Sequence, residues 1–145
     1  MNISHLVYQV LDCQQENPFF RAPVGENVQN ILDIGTGDGA WAIDVADRYP
    51  GAKVIGVDLY PPPETFLPSN CELLVDDVVQ PWIYDQKFDL IHARFLLGSF
   101  TAEGWKALYK QIYDNLVPGG WFEAVEPSIH LLWYVDFCNL VVCAC

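Results

Sequence analysis

The chain has 145 residues, of which 52% are hydrophobic, and it carries a formal net charge of −12 at pH 7. This length is enough for one domain with a hydrophobic core and is short for two. A negative field of this size repels nucleic-acid phosphates and anionic lipids, so neither nucleic acid nor a membrane surface is expected as a partner.

The first 30 residues are predicted to form a short helix followed by a link. Their opening, "MNISHLVYQVLD", lacks a basic start followed by an apolar run and a small-residue cleavage site, so no secretory signal is predicted. Ser4 can cap a short helix with apolar residues on adjacent faces. The polar, proline-containing stretch "QQENPFFRAPVGENVQ" then leads to the first strand.

Apolar strands and amphipathic helices alternate along the rest of the chain. Five segments have the composition of strands: "NILDIG", "KVIGVDL", "CELLV", "KFDLIHARF" and "WFEAVE". One helix follows Gly39 and ends before Pro50, and a second can be capped by Thr101 and ends at "VPGG". This alternation is typical of an open α/β fold. We therefore predict a Rossmann-like, mostly parallel sheet of five strands with helices on both faces.

The turn after the first strand, "GTGDGA", is predicted to bind a cofactor. Gly35, Gly37 and Gly39 allow positive φ angles, and the following helix offers free N–H groups. The same pattern fits the dinucleotide fingerprint of NAD-binding proteins. Asp58, which closes the second strand, suits the ribose of either NAD or S-adenosylmethionine. Asp33 favours S-adenosylmethionine, because a carboxylate before the loop suits a cationic ligand without phosphate, although it can also anchor the loop.

Together these motifs resemble the nucleotide-binding half of class I S-adenosylmethionine-dependent methyltransferases. The stretches "VDDVVQPW", "KFDLIHAR" and "LVPGGWFEAVE" are similar to the LaeA-like fungal methyltransferases of secondary metabolism, over residues 6–126. The resemblance implies methyl transfer from S-adenosylmethionine to a small molecule. It places Asp33, Gly35, Gly37 and Gly39 around the methionine part of the cofactor, Asp58 at the ribose, Leu59 beside the adenine, Asp77 at the adenine amino group and the Val78 backbone at the ring. For Asp77, a solvated turn is the alternative.

His92 and Arg94 lie two residues apart at the carboxyl end of the fourth predicted strand, so both point to the same face. In an open α/β sheet that end borders the ligand crevice. A neutral imidazole can remove a hydroxyl proton, which makes His92 a candidate general base and Arg94 a candidate substrate contact. The alternative is a buried, hydrogen-bonded histidine beside an arginine that is paired with a carboxylate.

The resemblance ends at Glu126, and residues 127–145 are predicted to be an atypical apolar tail outside the domain of residues 1–126. Class I methyltransferases usually close the sheet with an antiparallel hairpin against the fifth strand. The tail "PSIHLLWYVDFCNLVVCAC" does not resemble those strands. We therefore predict a truncated domain in which that hairpin is missing. The exposed fifth strand or the tail would then be a site for homo- or hetero-oligomer formation.

The five cysteines are odd in number, and no second Cys/His pair at zinc spacing accompanies those of the tail. No metal site is predicted, and free thiols in an intracellular compartment, the cytoplasm or the nucleus, are expected. The resemblance also implies that the part of such enzymes that covers the substrate is mostly absent here, which leaves a second function open. The chain can be a catalytically inactive, methyltransferase-like binding or regulatory partner.

Overall fold

The computed structural model describes residues 17–63, 66–130 and 134–144. The helix predicted near Ser4 lies outside these ranges. The helices are α1 (Ala40–Arg48) and α2 (Ala102–Asn115). The strands are β1 (Asn30–Ile34), β2 (Lys53–Asp58), β3 (Cys71–Val75), β4 (Phe88–Arg94), β5 (Leu116–His130) and β6 (Tyr134–Cys143).

The strands form one mixed sheet in the order β3-β2-β1-β4-β5-β6. The first five pair in parallel, and β1 lies between β2 and β4. The strand order therefore reverses at β1, which creates a crevice at the carboxyl ends of β1 and β4. The predicted Rossmann-like α/β architecture is confirmed.

The prediction of five strands without a closing hairpin is wrong. Strand β5 runs past Glu126 to His130, so the predicted domain boundary falls inside it. Strand β6 then returns antiparallel along β5, in a register from His130 opposite Tyr134 to Trp121 opposite Cys143. The physical reason is the unpaired edge of β5, whose N–H and C=O groups find partners in a neighbouring apolar segment.

Each helix covers a different face of the sheet, because successive strand residues point to opposite sides. On the α1 face, Ile31, Val54 and Leu90 pack against Trp41 and Val45. On the α2 face, the strand residues Leu32, Ile55 and Ile91 pack in one cluster with Leu108 and Ile112 of that helix. The two hydrophobic clusters thus lie on either side of β1 and β4.

The two helices begin in different ways. The residue before α1 is Gly39, which has φ of 78° and gives no side-chain cap, so the first N–H groups of α1 receive no side-chain acceptor from it. The Oγ1 of Thr101 accepts a hydrogen bond from Gly104 N at 3.1 Å, which confirms the predicted cap of α2. Within the described ranges, no helix is long and apolar enough to cross a membrane.

Candidate functional site

A cavity of about 180 Å³ opens at the carboxyl ends of β1, β2 and β3. It lies on the α2 side of the crevice, and the loop between β4 and α2 forms one of its walls. The residues that line it are Ile34, Gly35, Val57, Asp58, Leu59, Tyr60, Asp76, Asp77, Val78, Leu96, Ser99 and Phe100. It combines an aliphatic floor with carboxylates at the mouth, so it suits a ligand with one flat apolar part and several hydroxyl groups.

The glycine loop borders this cavity, and its backbone explains two of the glycines. Gly35 has φ of 70°, and a Cβ there would lie 2.6 Å from Cδ2 of Leu96. Gly37 has φ of 61°, but a Cβ there would meet no atom within 4 Å. Gly35 is therefore required by close packing as well as by conformation, whereas Gly37 leaves open space above the loop.

Asp58 connects the glycine loop to the next strand. One of its carboxylate oxygens accepts a hydrogen bond from Gly37 N at 2.9 Å, and the other accepts one from Tyr60 N at 3.1 Å. A carboxylate has about four lone-pair sites, so both oxygens keep capacity for further donors. This carboxylate is thus fixed in position and still able to accept hydrogen bonds from a ligand.

The segment after β3 is also fixed by its own side chains. The carboxylate of Asp77 accepts hydrogen bonds from Val79 N at 3.1 Å and from Gln80 Nε2 at 3.2 Å. The carbonyl oxygen of Val78 accepts from Trp82 Nε1 at 2.8 Å and from Gln111 Nε2 at 2.9 Å. The side chain of Gln111 therefore ties the cavity wall to α2.

All the described charged side chains that line the cavity are negative. Three carboxylates line it, those of Asp58, Asp76 and Asp77, and none of the described lining residues is basic. Tyr84 lies on the same side of the sheet, where burial, followed by the charge of Asp76, raises its pKa to about 12. Phosphate groups would be repelled here, whereas a neutral or cationic ligand would not.

A row of buried polar side chains crosses the α1 face of the sheet, away from the cavity. Asp33, His92 and Glu123 are neighbours in register on β1, β4 and β5, and each is at most 3% exposed. Nδ1 of His92 lies 2.8 Å from Oδ1 of Asp33. An ionised carboxylate only accepts, so Nδ1 carries the proton in that pairing.

A covering layer seals this row from solvent. The indole of Trp41 stacks on the His92 ring, with ring centroids 3.9 Å apart and planes 4° apart. The same indole donates from Nε1 to Phe19 O at 3.0 Å. Glu123 Oε2 accepts from Arg21 N and Ala22 N, both at 2.7 Å. We call residues 17–22 the N-terminal strap, because they cross the α1 face over these side chains.

The structure brings together five of the residues expected from the sequence at the cavity: Gly35, Asp58, Leu59, Asp77 and Val78. Gly37 and Gly39 lie in the adjoining loop. Asp33 and His92 are instead buried on the α1 side of the sheet, and neither lines the cavity. The guanidinium carbon of Arg94 lies 5.5 Å from the ring centre of Phe95 at the end of β4.

Sequence reasoning missed two residues of β5, Glu123 and Glu126, which lie three apart and therefore on opposite faces. Each carboxylate accepts hydrogen bonds from two consecutive backbone N–H groups of a distant segment. Glu126 Oε1 accepts from Leu96 N at 2.8 Å, and Oε2 accepts from Leu97 N at 3.1 Å. The available signal was the presence of two acidic residues in the apolar stretch "WFEAVE", because a carboxylate in such a strand needs donors.

Comparison with known proteins gives a family match over most of the chain. The methyltransferase domain family matches residues 11–137. The methyltransferase pytC of Aspergillus terreus is 37% identical over 135 residues, which are 92% of this chain and 40% of that protein. The secondary metabolism regulator laeA of Aspergillus flavus is 47% identical over 98 residues, which are 66% of this chain and 26% of that protein. The chain thus spans two fifths or less of these curated relatives.

Solved structures support the same fold. Coclaurine N-methyltransferase bound to N-methylheliamine and SAH superposes with a TM-score of 0.63 at 18% identity, over 86% of this chain and 36% of that one. PKMT2 from Rickettsia typhi in complex with AdoHcy superposes with a TM-score of 0.61 at 21% identity, over 75% of this chain and 23% of that one.

Proposed function

The chain belongs to the methyltransferase domain family, as its motifs predicted, and on that premise we propose that it binds S-adenosylmethionine and methylates a small molecule. We further propose that this molecule belongs to fungal secondary metabolism. The similarity to pytC and to the regulator laeA supports that context.

The observation that carries the proposal is the cavity at the carboxyl ends of β1 to β3. Its lining includes three carboxylates and no basic residue among those described, and it adjoins the open space above Gly37. Asp58 alone suits the ribose of either cofactor, but the pyrophosphate of a dinucleotide would lie in the field of all three carboxylates and would be repelled. S-adenosylmethionine carries no phosphate and has cationic groups, so the charge of the cavity favours it.

We assign the cofactor contacts to the residues that line this edge. Asp58 would accept hydrogen bonds from the ribose hydroxyls, and Leu59, which is 61% exposed, would pack beside the adenine. Asp77 and the Val78 backbone would address the polar edge of the adenine. When bound, S-adenosylmethionine supplies an activated methyl group on its sulfonium.

Asp33, Gly35, Gly37 and Gly39 would shape the site for the methionine part. Gly35 and Gly37 would do so through their backbone, and Gly39 by starting α1 at a positive φ without a side-chain cap. The pairing with His92 favours an indirect role for Asp33, in which it fixes β1 just before the loop. The contact of Arg94 with substrate and the general-base role of His92 stay predictions, and the burial of His92 favours a positioning role for its ring.

Calorimetry with S-adenosylmethionine, S-adenosylhomocysteine and NAD tests the proposal. We expect both S-adenosyl compounds to bind and NAD not to bind. Asp58→Ala removes an acceptor of charge-assisted hydrogen bonds and is expected to weaken binding by about a hundredfold. Asp89→Asn is the matched control, because Asp89 Oδ2 accepts hydrogen bonds from Gln29 N and Asn30 N at the opposite end of β1. Binding of NAD alone would overturn the proposal.

Methyl transfer needs its own measurement. Labelled S-adenosylmethionine incubated with fungal metabolite extracts should give a labelled small molecule. The alternative is a catalytically inactive binding or regulatory partner. The similarity to laeA, a secondary metabolism regulator, supports it. Cofactor binding without any labelled product would support that alternative.

A further inference from the structure

We propose that Glu126 is a positioning residue, which shapes the wall of the cofactor cavity by fixing the loop between β4 and α2. The proposal rests on the proposed function, because it concerns the same cavity. Glu126 itself does not line the cavity, and its effect passes through the backbone of residues 95–97.

Three consecutive N–H groups of this loop donate to β5, at Val125 and Glu126. Phe95 N donates to Val125 O at 3.0 Å, Leu96 N donates to Glu126 Oε1 at 2.8 Å, and Leu97 N donates to Glu126 Oε2 at 3.1 Å. Both oxygens of the Glu126 carboxylate thus accept a hydrogen bond from the turn. Hydrogen bonds to an ionised acceptor are stronger than those between neutral groups, so this contact fixes the turn firmly.

The turn that results is strained. Phe95 has φ of 61°, which places a non-glycine residue in the left-handed region. A phenylalanine adopts this conformation only where its surroundings hold it there. The backbone conformation of Phe95, where the chain leaves β4, is therefore unfavourable by itself, and the hydrogen bonds to β5 stabilise it.

The consequence for the cavity is the placement of Leu96. Its side chain is only 9% exposed, lines the cavity and occupies the position that a Cβ on Gly35 would need. Leu96 O then accepts from Ser99 N at 2.8 Å, and Ser99 and Phe100 complete the wall. Without the carboxylate, the loop loses two of the three bonds that aim Leu96 at the glycine loop.

The test compares wild type with Glu126→Gln and Glu126→Asp. Glutamine keeps one acceptor oxygen but turns an NH₂ group toward a backbone N–H, and aspartate keeps the charge but withdraws it by one methylene. We expect each change to weaken S-adenosylhomocysteine binding in calorimetry by about tenfold. Glu123→Gln is the matched control on the same strand and should leave the affinity within twofold of wild type, because the N-terminal strap does not line the cavity.

A spectroscopic readout separates positioning from a general loss of stability. The Leu96 and Leu97 amide protons should resonate downfield and exchange slowly in wild type. Both features should be lost in the Glu126 variants and kept in Glu123→Gln. Wild-type affinity in both Glu126 variants would overturn the inference, and so would ordinary Leu96 and Leu97 amides in wild type. Failure of wild type itself to bind would instead refute the proposed function.

Discussion

The two faces of the sheet use acidic residues for opposite purposes. On the α2 side, at the carboxyl ends of the strands, Asp58 and Asp77 line a cavity, where their oxygens remain able to accept further hydrogen bonds. On the α1 face, Asp33 and Glu123 are sealed beneath Trp41 and the N-terminal strap. Acidic side chains are therefore left able to accept further hydrogen bonds on one side, and are used up by contacts within the fold on the other.

This difference explains why an acidic residue in a motif is not by itself a contact. A buried carboxylate is costly unless donors surround it, so its partners indicate its role. The partners of Glu123 are two backbone N–H groups of the strap. Variants on the α1 face should therefore change stability, and variants on the α2 face should change affinity.

The largest effect is expected for Glu123→Ala. The change leaves Arg21 N and Ala22 N without their acceptor in a buried region, and should lower the free energy of unfolding by about 3 kcal/mol in urea titrations. Affinity for S-adenosylhomocysteine, measured on the folded fraction, should stay near that of wild type. A loss of affinity with unchanged stability would remove the distinction between the two faces.

His92→Phe comes next and tests the general-base prediction directly. Phenylalanine can keep the stack on Trp41 but removes the hydrogen bond to Asp33, so unfolding should become easier by about 2 kcal/mol. For a positioning role, the methyl-transfer rate should fall by less than about tenfold. A general base contributes about 10²- to 10⁴-fold to the rate, so a fall in rate of that size would support His92 as the general base.

A smaller effect is expected in the glycine loop between β1 and α1. Gly37→Ala meets no atom within 4 Å but keeps φ near 61°, so it should cost about 1 kcal/mol of stability. Gly35→Ala should cost more, since its Cβ would lie 2.6 Å from Cδ2 of Leu96. Thermal unfolding of the two variants side by side measures the difference, and equal shifts would show that packing against Leu96 is unimportant.

The smallest effect concerns Cys71, on the α1 face. Burial, with the charges of Asp33 and Asp47 in addition, raises the pKa of its thiol to about 11, from an ordinary value of 9.0. At pH 8 its thiolate fraction should be about a hundredfold below that of an ordinary thiol, and alkylation should be correspondingly slow.

The same shift gives Cys71 a pH-dependent contribution to stability. A raised pKa favours the folded state while the thiol is neutral, so its contribution is complete below pH 9 and is lost as the pH rises toward about 11. Denaturant titrations across this range should show a smaller alkaline loss for Cys71→Ser than for wild type. Equal losses would mean that the thiol is not coupled to folding.

Local sequence patterns were sufficient for much of the fold. The first four strands and both described helices lie close to their predicted positions, because apolar periodicity, a threonine cap and glycine turns act over a few residues. Gly35 and Asp58, singled out by the strand–glycine pattern, and Asp77, implied by the family resemblance, line one cavity, and their contacts with a cofactor stay a prediction. The hairpin was missed because its pairing depends on the β5 edge and not on the tail's own composition.

By itself, the sequence determined the strand–helix alternation, the glycine loop and the family. Only the tertiary structure decided that Asp33 and His92 are buried together and that Glu123 and Glu126 hold segments 102 and 30 residues away. The first contact joins neighbouring parallel strands, and the others join β5 to the N-terminal strap and to the loop after β4. Local sequence patterns do not predict such contacts, because the order of the strands and the faces of the sheet are set by the packing of the whole domain.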